Sequence, residues 1–419
     1  MPTLHHLIGH YTRFGSSRQL LYTFSLLIFF WALFDGIISY VTPLLITQYG
    51  FSVRTMGFIL SFSAVSGMVF DVLLARYVKR PHYRRMFLLV LLISSVYPLL
   101  LMRATTIPLL LVTMSIWGLY YDLVHFGIFD FISRVTPRTE HAQSFGVVDV
   151  FRALGYLLAP LLTTMLIGYE IGEKPFVLMF VFLVPAVAIF LVLIGKVTRG
   201  TKEFMHVTGE SHRRRTFREE LRWWRTIVKP LAPVLILTLF LYGIDAAFWT
   251  IGPLLAGELQ AIHPFGGLLV VAYMAPPLFV GWVVGAATSR FGKKRTAFVA
   301  LAAGSLVLLS LAIVRHPVFL IGVVFISSFF LSFAWPALNG AFSDYITETP
   351  LAEKEIEGIQ DVFVNAGYSI GPSVAGILAY ATAPVYAFAL FGCVGVILAI
   401  ILFVVTPTHI HLAIPPREA

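Results

Sequence analysis

Three aspartates, Asp35, Asp122 and Asp245, stand near the middle of long apolar runs, where inserting a charge costs roughly 2.5–3.5 kcal/mol. A carboxyl drawn out of water holds its proton more tightly, so such a group can exchange a proton near neutral pH. It can also bind a cation, and a site that takes either one couples the movements of the two. Asp35 is the leading residue for that role, with Asp122 next and Asp245 beside them. His125, one helical turn from Asp122, has the chemistry of a proton relay or of an interhelical hydrogen bond. The other acids of the apolar runs, Asp130, Asp149, Asp344 and Asp361, lie near helix ends, where capping or pairing accounts for them. Asp149 and Asp361 open helices, whose dipoles favour an anion there.

The residues around these acids narrow the ligand. Trp31, Phe34 and Tyr40 flank Asp35, while Tyr242, Phe248 and Trp249 flank Asp245. Trp117, Tyr121 and Trp335 add aromatic rings from two further runs. Aromatic faces beside carboxylates suit an amphipathic or cationic organic molecule. Lysine and arginine are nearly missing from the runs. The exception, Arg152, lies one turn after Asp149, so the two neutralise each other and an anionic substrate is disfavoured. A sugar needs several convergent amides, and the chain has only two asparagines, Asn339 and Asn365, with Gln360 placed to join them. No cofactor motif appears. Beyond Asp122 and His125 no ligand spacing suits a metal, which sets a metal-cation carrier behind an organic substrate.

The elements that carry these residues are helices in a bilayer. The 419 residues are 58% hydrophobic and 12% charged, more apolar than a soluble chain of this size can bury. Twelve continuous apolar segments are predicted as spanning helices, at about 20–48, 55–77, 86–106, 107–133, 143–168, 175–197, 230–257, 265–289, 296–314, 317–346, 357–382 and 384–406. Their apolar residues do not alternate, which excludes a transmembrane barrel. The net charge of +9 is not a nucleic-acid footprint, because 25 of the 30 Lys and Arg fall on one side of these segments. That bias places both termini in the cytoplasm. The lone Cys393 excludes an internal disulfide. Residues 1–19 form a cytoplasmic lead-in. Residues 198–229, with Arg213-Arg214-Arg215 and Arg222-Trp223-Trp224-Arg225, form a basic linker whose second half either lies on anionic lipid as an amphipathic helix or only solubilises the loop.

The linker separates two copies of one unit, 1–197 and 230–419. Asp35 and Asp245 are each followed, after seven intervening residues, by Pro-Leu-Leu. Asp149-Val150-Phe151 returns as Asp361-Val362-Phe363, Pro160 as Pro372, Arg76 as Arg290 and Asp130 as Asp344, all at offsets of 210 to 214. The expected fold is therefore an all-α polytopic membrane protein of two parallel six-helix repeats. Helices three, six, nine and twelve lack interior acids and are free to face lipid. Helix eight joins the cavity-side set only through Gly281 and Gly285.

Two motifs carry a family resemblance. Gly285-Ala286-Ala287-Thr288-Ser289-Arg290-Phe291-Gly292-Lys293-Lys294 resembles the Gly-x-x-x-Asp-Arg-x-Gly-Arg-Lys signature of the major facilitator superfamily, with Ser289 in place of the acid. The first copy is weaker, with Ala75 and Val78 at the acid and glycine positions. Asp71, one turn deeper, is placed to substitute at the inner gate with Arg76. Gly155-Tyr156-Leu157-Leu158-Ala159-Pro160 and Gly367-Tyr368-Ser369-Ile370-Gly371-Pro372 are similar to the Gly-x-x-x-Gly-Pro motif of the proton-driven antiporters in that family. The arginine that those antiporters carry in helix four is absent, and Asp122 lies in its region. The resemblance implies a secondary active transporter working as a monomer by alternating access, with proton-coupled export of amphipathic or cationic small molecules. A proton-linked importer of a small nutrient fits the same fold. An intramembrane aspartyl hydrolase and a non-transporting receptor are rivals of other classes. A prokaryotic inner membrane is the expected location.

Overall fold

The computed structural model describes the chain except for residues 1–2, 78–81, 138–139, 168–170, 199–216, 350–352 and 407–419. The described residues form helices and contain no strand. In order these are α1 (Thr3–Gln48), α2 (Val53–Tyr77), α3 (Tyr83–Arg103), α4 (Ile107–Val135), α5 (His141–Leu166), α6 (Lys174–Thr198), α7 (Phe217–Ile262), α8 (Leu268–Met274), α9 (Pro277–Phe291), α10 (Lys293–Leu309), α11 (Pro317–Glu348), α12 (Glu353–Ala381) and α13 (Pro384–Val405). Among the described residues eleven helices are long and apolar enough to cross a membrane, and α8 with α9 as one broken span makes twelve. Arg213-Arg214-Arg215 lie outside the described residues. From Phe217 the chain is helical, and it runs without a break into the next span, so α7 is 46 residues long, as is α1.

The expectation of one uninterrupted helix over 265–289 is corrected by the break between α8 and α9. Pro276 and Pro277 have no N–H to return to the carbonyls of Ala272 and Tyr273 one turn back, so the ladder stops there. The Ser328 hydroxyl takes over and donates to the Tyr273 carbonyl at 2.5 Å. A separate bend of 67° lies beyond the prolines, between segments 268–280 and 283–291.

The helices divide into two compact units, Met1–Tyr49 with Val69–Gly209, and Gly50–Met68 with Glu210–Ala419. In the first, α1 is the central element: Phe24, Leu27, Ile28, Phe34, Ile37 and Ile38 are fully buried, and it packs most extensively on α5. In the second, the matching pair is α7 on α12. The first half of α2 belongs to this second unit, where Ser61 and Ser373 share a hydrogen bond of 2.7 Å.

Glycine sets the approach of both pairs. A Cβ on Gly155 would stand 2.7 Å from the Ala32 Cβ and from the Phe29 carbonyl. A Cβ on Gly367 would stand 2.7 Å from the Tyr242 Cβ and 2.8 Å from the Leu239 carbonyl, the same two places one repeat later. One turn on, the contact is reciprocal. Gly36 of α1 faces Ala159 of α5, whereas Ala246 of α7 faces Gly371 of α12. Each pair has room for one methyl group, and the two units place it on opposite helices.

The faces turned away from these contacts are apolar. Leu88, Leu92 and Val96 of α3, Val184 and Leu191 of α6, Leu306 of α10, and Val394 and Ile400 of α13 are each about half exposed or more. Water would penalise such faces, and hydrocarbon solvates them. Near the helix ends the acids work as clamps. Asp130 accepts from the Tyr83 backbone N–H at 2.7 Å and pairs with Arg134 at 2.8 Å, tying α3 to α4. Asp344 accepts from Lys293 Nζ at 2.6 Å, tying α10 to α11.

Candidate functional site

Each unit holds one carboxylate clasped by phenols. In the first, Asp35 is 1% exposed and has no ion-pair partner among the described residues. Trp117 Nε1 donates to its Oδ1 at 3.0 Å, and the Tyr120 hydroxyl donates to the same oxygen. The Tyr156 hydroxyl donates to Oδ2 at 2.6 Å. Trp117 and Tyr120 are three residues apart on α4 and therefore share the face turned to α1. Tyr156 follows Gly155, the glycine that lets α5 lie against α1. Two more rings complete the clasp: Tyr97 meets Tyr120 edge to face at 5.6 Å, and Trp31 does so at 6.2 Å.

In the second unit Asp245 is partly exposed. It accepts from the Tyr273 hydroxyl at 2.6 Å and from the Tyr368 hydroxyl at 2.9 Å. Tyr368 follows Gly367, as Tyr156 follows Gly155, and each lies on the helix that packs against its aspartate's own. Tyr273 comes from the last turn of α8, beside the proline break, with its ring stacked on Phe248 at 3.9 Å. The Tyr242 ring lies edge-on to Trp335 at 4.5 Å and to Tyr368 at 5.4 Å, so an aromatic cluster adjoins this carboxylate.

The remaining residues singled out in the sequence fall as follows. Phe34 is fully buried in packing, and Trp31 is 1% exposed with its Nε1 unpartnered among the described residues. Tyr121, by contrast, is 40% exposed and tilts against Trp31 at 6.3 Å. Trp249 is partly buried on α7, four residues beyond Asp245. Asp122 has a buried Oδ2 with no hydrogen bond among the described residues, and its charge interacts with that of Asp71. His125 is exposed, sits 5.0 Å from Phe129, and has no hydrogen bond to Asp122 among the described residues. Asp71 lies on α2, and Asp122 and His125 lie one turn apart on α4. Gln360 Nε2 donates to Asn339 Oδ1 at 3.4 Å, the amide pair that the sequence suggested, and Asn365 is partly buried on α12.

The motif residues are placed at helix ends and on exposed faces. Asp149 and Arg152 pair at 2.9 Å on a half-open face of α5. Asp361 is exposed. Gly292 has φ +83° between α9 and α10, a backbone region that glycine alone occupies without strain, which explains the glycine of the signature. Arg290 lies over the Phe291 ring at 5.3 Å. The Arg76 side chain lies outside the described residues.

Four hydrogen-bond donors of the clasps were not singled out by spacing: Tyr120, whose neighbour Tyr121 was named in its place, Tyr156, Tyr273 and Tyr368. A signal for two of them was present. Tyr156 stands 121 residues after Asp35 and Tyr368 stands 123 after Asp245, so the acid and the phenol recur as a set. Tyr273 has no counterpart in the first repeat and was not recoverable this way.

Comparison with known proteins adds three findings. A family model described as Major Facilitator Superfamily matches residues 24–244 and 234–419. "Multidrug resistance protein 2" of Bacillus subtilis (strain 168) is 20% identical over 351 residues, covering 82% of this chain and 84% of that protein. Among solved structures, the nucleoside transporter NupG aligns with a TM-score of 0.70 at 13% identity, covering 92% of this chain and 98% of that one. The E. coli fucose:proton symporter FucP aligns with a TM-score of 0.60 at 14% identity, covering 94% of this chain and 100% of that one. At such identities the structural likeness speaks for the fold.

Proposed function

Because this chain belongs to the Major Facilitator Superfamily and is a multi-pass membrane protein, we propose that it is a secondary active transporter that couples proton movement to export of amphipathic or cationic small molecules by alternating access. The observation that carries this reading is the clasp on Asp35. A sealed carboxylate held only by neutral donors keeps its full charge unless a proton or an exogenous cation neutralises it. Proton and cation then compete for one charge, which is the requirement for antiport. The aromatic cluster beside the partly exposed Asp245 supports a cationic or amphipathic ligand. The distant relative named for multidrug resistance points the same way. We place both termini in the cytoplasm of a prokaryotic inner membrane, with the monomer as the working unit.

The test is ethidium movement in proteoliposomes under an imposed pH gradient, with wild type beside Asp35→Asn. Gradient-driven movement that disappears in a folded Asp35→Asn variant supports the reading. Full activity in the variant removes Asp35 from the mechanism.

A second reading is proton-linked import of a small nutrient. It draws on the amide pair Asn339–Gln360 and on structural neighbours described as a nucleoside transporter and a fucose:proton symporter. Absence of ethidium movement in an active preparation would favour it.

A further inference from the structure

We propose that Tyr156 reads the protonation state of Asp35, its hydroxyl donating to Oδ2 of the carboxylate and accepting from Oδ2 once that oxygen carries a proton. This rests on the reading of Asp35 as an exchanging carboxyl. It follows from the unequal loading of the two oxygens. Oδ1 receives Trp117 and Tyr120, whereas Oδ2 receives Tyr156 alone. An indole N–H is a donor in every protonation state and cannot turn round. With the proton on Oδ2, the carbonyl oxygen Oδ1 keeps both donors on its two lone pairs. With the proton on Oδ1, Trp117 would be left against a hydroxyl oxygen, a poorer acceptor, inside a fully buried site. The proton therefore goes to Oδ2. A hydronium ion from the aqueous phase supplies the proton: one of its O–H bonds breaks as the Oδ2–H bond forms, water leaves, and the Tyr156 O–H rotates off Oδ2.

The reversal occurs where two helices touch. Tyr156 is preceded by Gly155, whose missing Cβ admits Ala32 and the Phe29 carbonyl of α1. A change in the sense of this hydrogen bond acts directly across the α1–α5 contact. The second unit lacks the same bias. Asp245 has one phenol on each oxygen and no donor-only group among the described residues, so either oxygen can take a proton.

The experiment is pH-difference infrared spectroscopy of the full chain in lipid, comparing wild type with Asp35→Asn, Tyr156→Phe and Tyr120→Phe. Wild type is expected to show a carboxylic C=O band at low pH that is missing in Asp35→Asn. With it, one phenolic C–O band should move from the position of a donating to that of an accepting hydroxyl, identified with isotope-labelled tyrosine. Tyr156→Phe should lose the phenolic shift and keep the carboxylic band, and Tyr120→Phe should keep both. A phenolic shift that survives Tyr156→Phe, or one lost in Tyr120→Phe, overturns the role of Tyr156 while leaving Asp35 titrating. A carboxylic band unchanged in Asp35→Asn overturns the underlying reading and the proposal with it. If Tyr156→Phe does not fold, a fluorotyrosine at position 156 gives the same decision, because it displaces the band without removing the hydroxyl.

Discussion

The Tyr156 hydroxyl meets Asp35 Oδ2 at 2.6 Å across 121 residues of chain. This bond joins the helix that bears the buried charge to the helix that packs closest on it. Tyr368 and Asp245 repeat the relationship at 2.9 Å across 123 residues. A hydrogen bond to a charged partner contributes on the order of 1.5–3 kcal/mol, enough to bias the packing of a helix pair.

The reciprocal methyl placement predicts a rescue. Gly36→Ala should destabilise the protein by about 1–3 kcal/mol, since the added Cβ would stand 2.6 Å from that of Ala159. Combining it with Ala159→Gly recreates the arrangement found in the second unit and should recover most of the loss. Thermal unfolding in detergent of the two single variants and the double variant decides this. A double variant no better than Gly36→Ala would contradict it.

Asp245 should act on charge more than on shape. Asp245→Asn is expected to weaken the apparent affinity for a cationic aromatic dye about tenfold, equivalent to about 1.4 kcal/mol. A neutral dye of the same size should be affected far less. Quenching titrations with both dyes provide the comparison, and equal losses for the two would count against a cation site there.

Ser328 should support the Asp245 clasp from behind. Its hydroxyl satisfies the Tyr273 carbonyl that Pro277 leaves without a helical partner. Ser328→Ala should cost about 1–2 kcal/mol in unfolding free energy. It should also loosen Tyr273, seen as weaker dye binding at the Asp245 cluster. Unchanged stability and binding would mean that the carbonyl finds another donor.

The two end clamps should differ in strength. Asp130 is 12% exposed, caps the α3 terminus and holds Arg134, so Asp130→Ala should cost about 1–2 kcal/mol. The Asp344 side chain is 54% exposed in its pair with Lys293, and Asp344→Ala should cost below about 1 kcal/mol. Parallel melting curves test the ranking.

Much of this was legible in the sequence because duplication reports itself through offsets. Asp35 and Asp245 announced two matched carboxylates, and the two Gly-Tyr-x-x-small-Pro stretches announced matched helices. What spacing did not reveal was that these features belong together. The tyrosine inside each stretch looked like a filler between glycine and proline, because an aromatic residue in a spanning helix has many bland uses. Only the close approach set by Gly155 and Gly367 turns the phenol onto the acid. The break at Pro276-Pro277 was written in the chain, yet a proline in a spanning helix bends it as often as it ends it. The placement of Phe34 was not legible either, since a residue beside a charge in sequence points to a different side of the helix.

The 46-residue lengths of α1 and α7 have a practical consequence. The apolar spans within them are Arg18–Gln48 and Ile227–Ile262, so each helix continues on the N-terminal side of its span, by about 22 Å for α1 and about 15 Å for α7 at about 1.5 Å per residue. A helical extension of that kind magnifies tilt. A rotation of about 5° within the bilayer sweeps a tip about 35 Å away through about 3 Å. Spectroscopic labels on these projecting ends would work as pointers, reporting small rotations around Asp35 and Asp245 from a place where no label disturbs either clasp.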